Sequence, residues 1–138
     1  KLIIMNQLIL VSVLAIIDNQ NKVLITKRPI DKPFGNFWEF PGGKLKKNET
    51  PEHAIVREIK EELDINIEKN CIAPLSFSTT TFNKNSYIIM LYVCRKLEKN
   101  LKIKENVEFK WVHPFNLNKY NMPKANSYLC SALCDLIT

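Results

Sequence analysis

Glu58, Glu61 and Glu62 lie in the stretch GKLKKNETPEHAIVREIKEELDI, which runs from Gly43 to Ile65. On a helix that turns about 100° per residue they share roughly a third of the circumference. Carboxylates this close repel one another, which raises their proton affinity unless a cation lies between them. Hard oxygen donors on a rigid element suit Mg2+ or Mn2+, and those ions bind phosphate oxygens in turn. The plainer reading of an isolated acidic helix is a solvated face with pairs such as Arg57 to Glu61. Spacing argues against it: Glu49 follows Gly43 after five residues, and Arg57-Glu58 follows after seven more. Average residue usage yields six such fixed identities on the order of once in ten million starting positions.

The elements that must position these groups are legible in coarse form. Thr50 can cap a helix and Pro51 fits its first turn, where no amide donor is needed. Good helix formers continue to Leu63, and Asp64 with Asn66 can stop the helix. Ile55, Val56, Ile59 and Leu63 make an apolar stripe beside the acidic edge, so the helix can pack on a core with its carboxylates in a cleft. Upstream, the pattern predicts strands over 8–17, 22–28 and 38–40, the last running into a turn at Pro41-Gly42-Gly43. Downstream it predicts strands near 71–81, 86–96 and 107–113, then a helix from about Lys124 to Leu136. Strands flanked by two helices without regular βαβ alternation indicate an α+β fold.

With 138 residues, one domain spanning 1–138 is expected. Hydrophobic content of 46% and charged content of 25% are ordinary for a globular protein. The net charge of +6 suits anionic ligands, but it is dispersed, so nucleic acid is not a required partner. The apolar run Leu8 to Ile17 is too short to cross a bilayer, so no membrane partner is expected. Cys71, Cys94, Cys130 and Cys134 form no C-x-x-C pair. Cys130 and Cys134, one helical turn apart, have a spacing able to hold metal; buried thiols in a reducing cytoplasm are the expectation. Asn- and Lys-heavy usage carries no further structural clue at this level.

The Gly43–Ile65 stretch resembles the Nudix box, G-x5-E-x7-R-E-U-x-E-E-x-G-U with U aliphatic, except that Asp64 replaces the last glycine. Asp64 at positive φ would preserve the turn, and no ligand is lost. The segments Val23-Leu24-Ile25-Thr26-Lys27-Arg28-Pro29 and Trp38-Glu39-Phe40-Pro41-Gly42-Gly43-Lys44 look like the MutT branch of that family, as does Met122-Pro123-Lys124-Ala125-Asn126. The resemblance implies the Nudix α/β/α sandwich with a mixed sheet. It also implies Mg2+-dependent hydrolysis of nucleoside triphosphates such as 8-oxo-dGTP to monophosphate and pyrophosphate, which clears oxidised nucleotides from the pool. A cytoplasmic location is expected from the absence of a targeting signal and from the cysteines, and a monomer is expected.

Carried onto this chain, the pattern implies metal binding by the Gly43 carbonyl and by Glu58, Glu61, Glu62 and Glu105, with Glu58 or Glu105 as general base. Glu98 and Glu108 rival Glu105 in their charged stretch. Glu49 and Arg57 fit a structural pair, and Arg28 and Lys44 fit phosphate oxygens. Asn126 falls where the family reads the purine edge, though a helix N-cap explains it equally well. Phe82, Asn85 and Leu8 or Val11 can line the base pocket. Asn85-Ser86 stands where the best-known MutT pattern has Arg-His, so strict oxidised-guanine selectivity is not implied. Trp38 and Trp111 read as core or cleft wall. Other readings are a hydrolase of ADP-ribose, dinucleoside polyphosphate or RNA 5′ ends, and a non-catalytic nucleotide- or lesion-binding module.

Overall fold

Residues of the first apolar run alternate between two cores, and that explains its lack of a polar face. In the computed structural model, which describes residues 7–95 and 101–137, this run is β1 (Leu8–Ile16). It is followed by β2 (Val23–Lys27), β3 (Trp38–Glu39), β4 (Gly42–Lys44), α1 (Pro51–Leu63), β5 (Ala73–Phe82), β6 (Asn85–Cys94), β7 (Phe109–Val112) and α2 (Lys124–Ile137). Leu14 and Ile16 of β1 pack with Leu24 of β2 against Ile55, Ile59 and Leu63 of α1. Val13 and Ala15 of β1 pack with Val23 and Ile25 of β2 against Leu129 and Leu133 of α2. The strands thus form a layer between two helices, the α/β/α arrangement expected.

Two sheets make that layer. One has the order β4-β1-β6-β5, the other β3-β2-β7. β1 runs parallel to β6 and antiparallel to β4, so the first sheet is mixed. β5 and β6 form a hairpin closed by Asn83 and Lys84, both at positive φ (49° and 65°), the pairing that suits the twist of a two-residue turn.

Several boundaries differ from the sequence pattern. The Pro41-Gly42-Gly43 turn is in fact the entry to a strand: Gly42, Gly43 and Lys44 pair with Val13, Ser12 and Val11. Gly-Gly-Lys has no strand propensity of its own; pairing with β1 makes it one. Cys71, expected to begin the strand, closes a 3-10 turn at Lys69–Cys71 and β5 starts at Ala73; a second such turn occupies Pro114–Lys119. The predicted end of β6 at 96 lies outside the described residues.

Candidate active site

The helix that carries the glutamates is bounded by local signals at both ends. Thr50 is extended (φ −79°, ψ 158°), and its hydroxyl accepts a hydrogen bond from the His53 amide at 3.2 Å. Buried Ser12 donates its hydroxyl to the Pro51 carbonyl at 3.0 Å, tying the helix start to β1. At the other end Asp64 is left-handed (φ 57°, ψ 38°), as the missing glycine required, and its amide donates to the Lys60 carbonyl.

Arg57 organises the acidic edge. Its Nε and Nη2 grip Glu49 at 2.7 and 2.8 Å in a two-point fork, and Nη2 also donates to the Lys44 carbonyl at 3.2 Å. Nη1 reaches Glu58 at 2.8 Å and Glu61 at 3.5 Å. The Glu49 carboxylate further accepts the Lys46 amide at 2.8 Å, which closes the loop before the helix. The Arg57 hydrogen bond, aided by that amide, lowers the Glu49 pKa to about 2. Glu49 and Arg57 are thus paired across the loop that leads into α1.

The Glu58 carboxylate lies directly over Gly43: a methyl built there would be 2.6 Å from Cδ and 2.7 and 2.8 Å from the two oxygens. Glycine is required at that point because the carboxylate occupies the space of a side chain. Glu62 is held within hydrogen-bonding reach of Glu58 and of the Gly42 backbone, and burial followed by the Glu58 contact pushes its pKa well above the carboxylate range. Among the described residues no three His, Cys, Asp or Glu side chains converge as a ready-made metal cage. Arg57 draws Glu58 and Glu61 toward itself, and Glu62 leans on Glu58. The donor set nevertheless fits a hard cation: carboxylates crowded against one another beside a bare glycine backbone, partly shielded from water.

One carboxylate of this cluster escapes a reading of the motif alone. Glu39 is among the charges that raise Glu62, and burial raises its own pKa against the lowering effect of Arg28. Alternation was the available signal, since Trp38 and Phe40 are buried in one core and Glu39 must point the other way. Arg28 meets Glu39 at 3.3 Å and donates from Nε to the Pro33 carbonyl at 2.7 Å. Its guanidinium thus spans the acidic edge and the 29–37 loop. Lys44 is exposed and its carbonyl is the one Arg57 holds.

Glu105 is exposed, next to a residue docked on the helix end: the Lys104 amide donates to the Leu63 carbonyl at 2.9 Å and its Nζ to the Glu61 carbonyl at 3.3 Å. Its rival Glu108 pairs with Lys27 at 3.7 Å, and Glu98 lies outside the described residues. Asn126 sits inside α2, so the N-cap alternative is overturned. It is 8% exposed. Phe82 and Asn85 flank the hairpin turn; Asn85 accepts the Gln7 amide at 3.4 Å. Trp38 is core, edge-on to Tyr120, and Trp111 is partly buried beside α1. Cys94 is buried, and Cys71, Cys130 and Cys134 are partly buried.

The NUDIX domain matches residues 8–131, nearly the whole of the chain. The chain belongs to the NUDIX family. Over 123 residues it is 32% identical to the 8-oxo-dGTP diphosphatase of Escherichia coli K12, covering 84% of this chain and 88% of that one. A 52-residue stretch is 54% identical to the 8-oxo-dGTP diphosphatase of Proteus vulgaris, and covers 38% of this chain and 46% of that one. A MutT structure from work on the Aliivibrio salmonicida and Vibrio cholerae proteins aligns with a TM-score of 0.75 at 27% identity, covering 94% of this chain and 99% of that one. The MutT-like resemblance therefore stands: this NUDIX chain is a hydrolase of pyrophosphate bonds, and hydrolases of that family work with a divalent metal. Among the described residues no helix is long and apolar enough to cross a membrane.

Proposed function

We propose that the chain is a Mg2+-dependent nucleoside triphosphate pyrophosphohydrolase of MutT type. Its substrates are oxidised purine nucleoside triphosphates such as 8-oxo-dGTP, cleaved to the monophosphate and pyrophosphate. The observation that carries this reading is the Glu58 carboxylate stacked on the Gly43 backbone, next to a half-buried Glu62 whose proton affinity is raised. A site that concentrates negative charge in this way is built for a cation, and through it for phosphate oxygens.

Gly43, Glu58, Glu61, Glu62 and Glu105 would hold the ion, and Mn2+ fits the same oxygens. When bound, a divalent ion neutralises phosphate charge and acidifies a water. Glu58 or Glu105 accepts the proton of the attacking water as general base. Arg57, itself locked by Glu49, sets the direction of Glu58. Arg28 and Lys44 offer positive charge to the phosphate chain, Arg28 with a fork and Lys44 as a point charge. Asn126 presents an amide with one acceptor and two donors to the purine edge. Phe82 and Asn85 border the base. A single domain acting as a monomer in the cytoplasm, with no nucleic acid required, completes this reading.

The test is a panel of initial rates in Mg2+ for 8-oxo-dGTP, dGTP, ATP, ADP-ribose and diadenosine tetraphosphate, with product identification. A large kcat/KM preference for 8-oxo-dGTP with release of pyrophosphate supports the assignment. A flat profile, or preference for ADP-ribose or the dinucleotide, rejects it while leaving NUDIX chemistry in place. Glu61→Gln, folded but inactive, separates an enzyme from a nucleotide-binding module.

A further inference from the structure

Two phenylalanines, one from a loop and one from the end of a strand, meet in the open. Phe34, in the loop between β2 and β3, lies 5.2 Å from Phe82 at the end of β5, ring centre to ring centre, with the planes inclined by 55°. The rings are 46% and 45% exposed residues respectively, so the contact is not a piece of core. Phe34 also touches Phe37 edge-on at 5.9 Å.

The backbone at Phe34 is in the left-handed region, φ 60°. Among the described residues, five of the eight non-glycine positions with positive φ are asparagines, which tolerate it; Phe34 alone is aromatic. The loop holds that conformation through several ties. Arg28 donates from Nε to the Pro33 carbonyl and from its amide to the Phe37 carbonyl, while its own carbonyl accepts the Asn36 amide. Gly35 is packed so tightly that a methyl there would lie 2.5 Å from the Ile30 carbonyl oxygen. Strain of this kind persists where the surroundings over-determine it, and it concentrates at ligand clamps. Here it aims a half-exposed ring at the hairpin tip that carries Phe82 and Asn85, from a loop anchored by Arg28.

We infer that Phe34 is a base-contacting residue: the purine ring stacks on Phe34 in the place now taken by Phe82, and this contact favours large bases over small ones. The inference rests on the nucleotide reading above. Stacking depends on ring area, so a purine gains more than a pyrimidine, and tyrosine substitutes for phenylalanine where asparagine does not.

The experiment is titration calorimetry with dGMP and with dCMP, in Mg2+, on the full chain and on Phe34→Asn and Phe34→Tyr, beside thermal melts. Asparagine accepts the left-handed backbone, so Phe34→Asn is expected to melt at or above the wild-type temperature. It should weaken dGMP by roughly tenfold to a hundredfold, the loss of one base–aromatic stack, and dCMP by clearly less. Phe34→Tyr should restore dGMP binding to within about threefold of wild type, since its ring stacks as phenylalanine does. Equal losses for the two nucleotides would mean that the ring only props the loop, and would overturn the inference. Unchanged dGMP binding in Phe34→Asn, or none in the wild type, would overturn it as well. Failure of wild type to hydrolyse triphosphates while dGMP still binds through Phe34 would instead sink the proposed reaction alone.

Discussion

Adjacent glycines Gly42 and Gly43 should fail in opposite ways when given a methyl group. In Gly43→Ala the new carbon would stand 2.6–2.8 Å from the Glu58 carboxylate. Carbon needs about 3.5 Å, so the carboxylate must retreat by roughly 0.7–0.9 Å. It can do so, because it is the end of a flexible side chain, but it then leaves its 2.8 Å contact with Arg57. Misplacing a reacting group by about 1 Å costs on the order of a hundredfold in rate, whereas the stability cost of a contact that can yield is about 1 kcal/mol, or roughly 4 °C in Tm. In Gly42→Ala the methyl would meet the Ser12 carbonyl oxygen at 2.2 Å and the Val13 Cα at 2.6 Å, with φ at 148°. Those atoms belong to β1, which is held by β6 along its length and cannot withdraw. The expected cost is at least about 3 kcal/mol, or more than 10 °C in Tm. Thermal melts and hydrolysis rates of the best substrate over a range of Mg2+ concentrations read both effects. A Gly43→Ala protein with kcat/KM within about threefold of wild type would show that Glu58 does not act from the position over Gly43.

Buried Ser78 donates its hydroxyl to the Ala125 carbonyl at 2.8 Å, joining β5 to α2, so Ser78→Ala should cost about 1 kcal/mol and lower Tm by roughly 4 °C; a melt unchanged within 1 °C would remove that tie from the account. Burial, and then the 2.7 Å hydrogen bond to Glu52, raise the Tyr92 pKa from 10.0 to about 12. The folded state thus holds this proton more tightly than the unfolded chain, and its stabilisation is complete below pH 10 and lost as pH rises toward about 12. Tm measured across that range should fall less steeply in Tyr92→Phe than in wild type. In Asp64→Gly, relief of a left-handed residue outweighs loss of the exposed, solvent-screened Lys60 pair, so stability should stay level or rise slightly with kcat/KM unchanged. A substantial loss of rate in that variant would give Asp64 a role at the site.

Signals confined to a few neighbouring residues were the legible ones. The helix runs from Pro51 to Leu63 as its caps predicted, and Asp64 takes the left-handed turn, because capping and handedness are decided within one turn of chain. Asparagine usage carried more than composition suggested: Asn21, Asn36, Asn48, Asn83 and Asn106 occupy left-handed turns in a chain with 3 glycines. A compositional count cannot show this, since the preference acts position by position.

Pairing between distant segments decided the rest. The glutamate spacing along one helix, with Gly43, Glu49 and Arg57 at their offsets, was enough to specify a cation-seeking acidic edge, because a helix repeats its own geometry. Nothing local makes Gly42–Lys44 a strand, yet its pairing with β1 is what brings the Gly43 backbone under Glu58. The pairing of β2 with β3 brings Arg28 to Glu39 and turns Glu39 toward Glu62. The meeting of Phe34 with Phe82 likewise joins a loop of one sheet to a strand of the other. Sequence by itself determined which side chains could bind a charged ligand, since chemistry and helical period are local properties. Only the tertiary structure decided which of them share a site, because contacts across sheets depend on where the whole chain closes on itself.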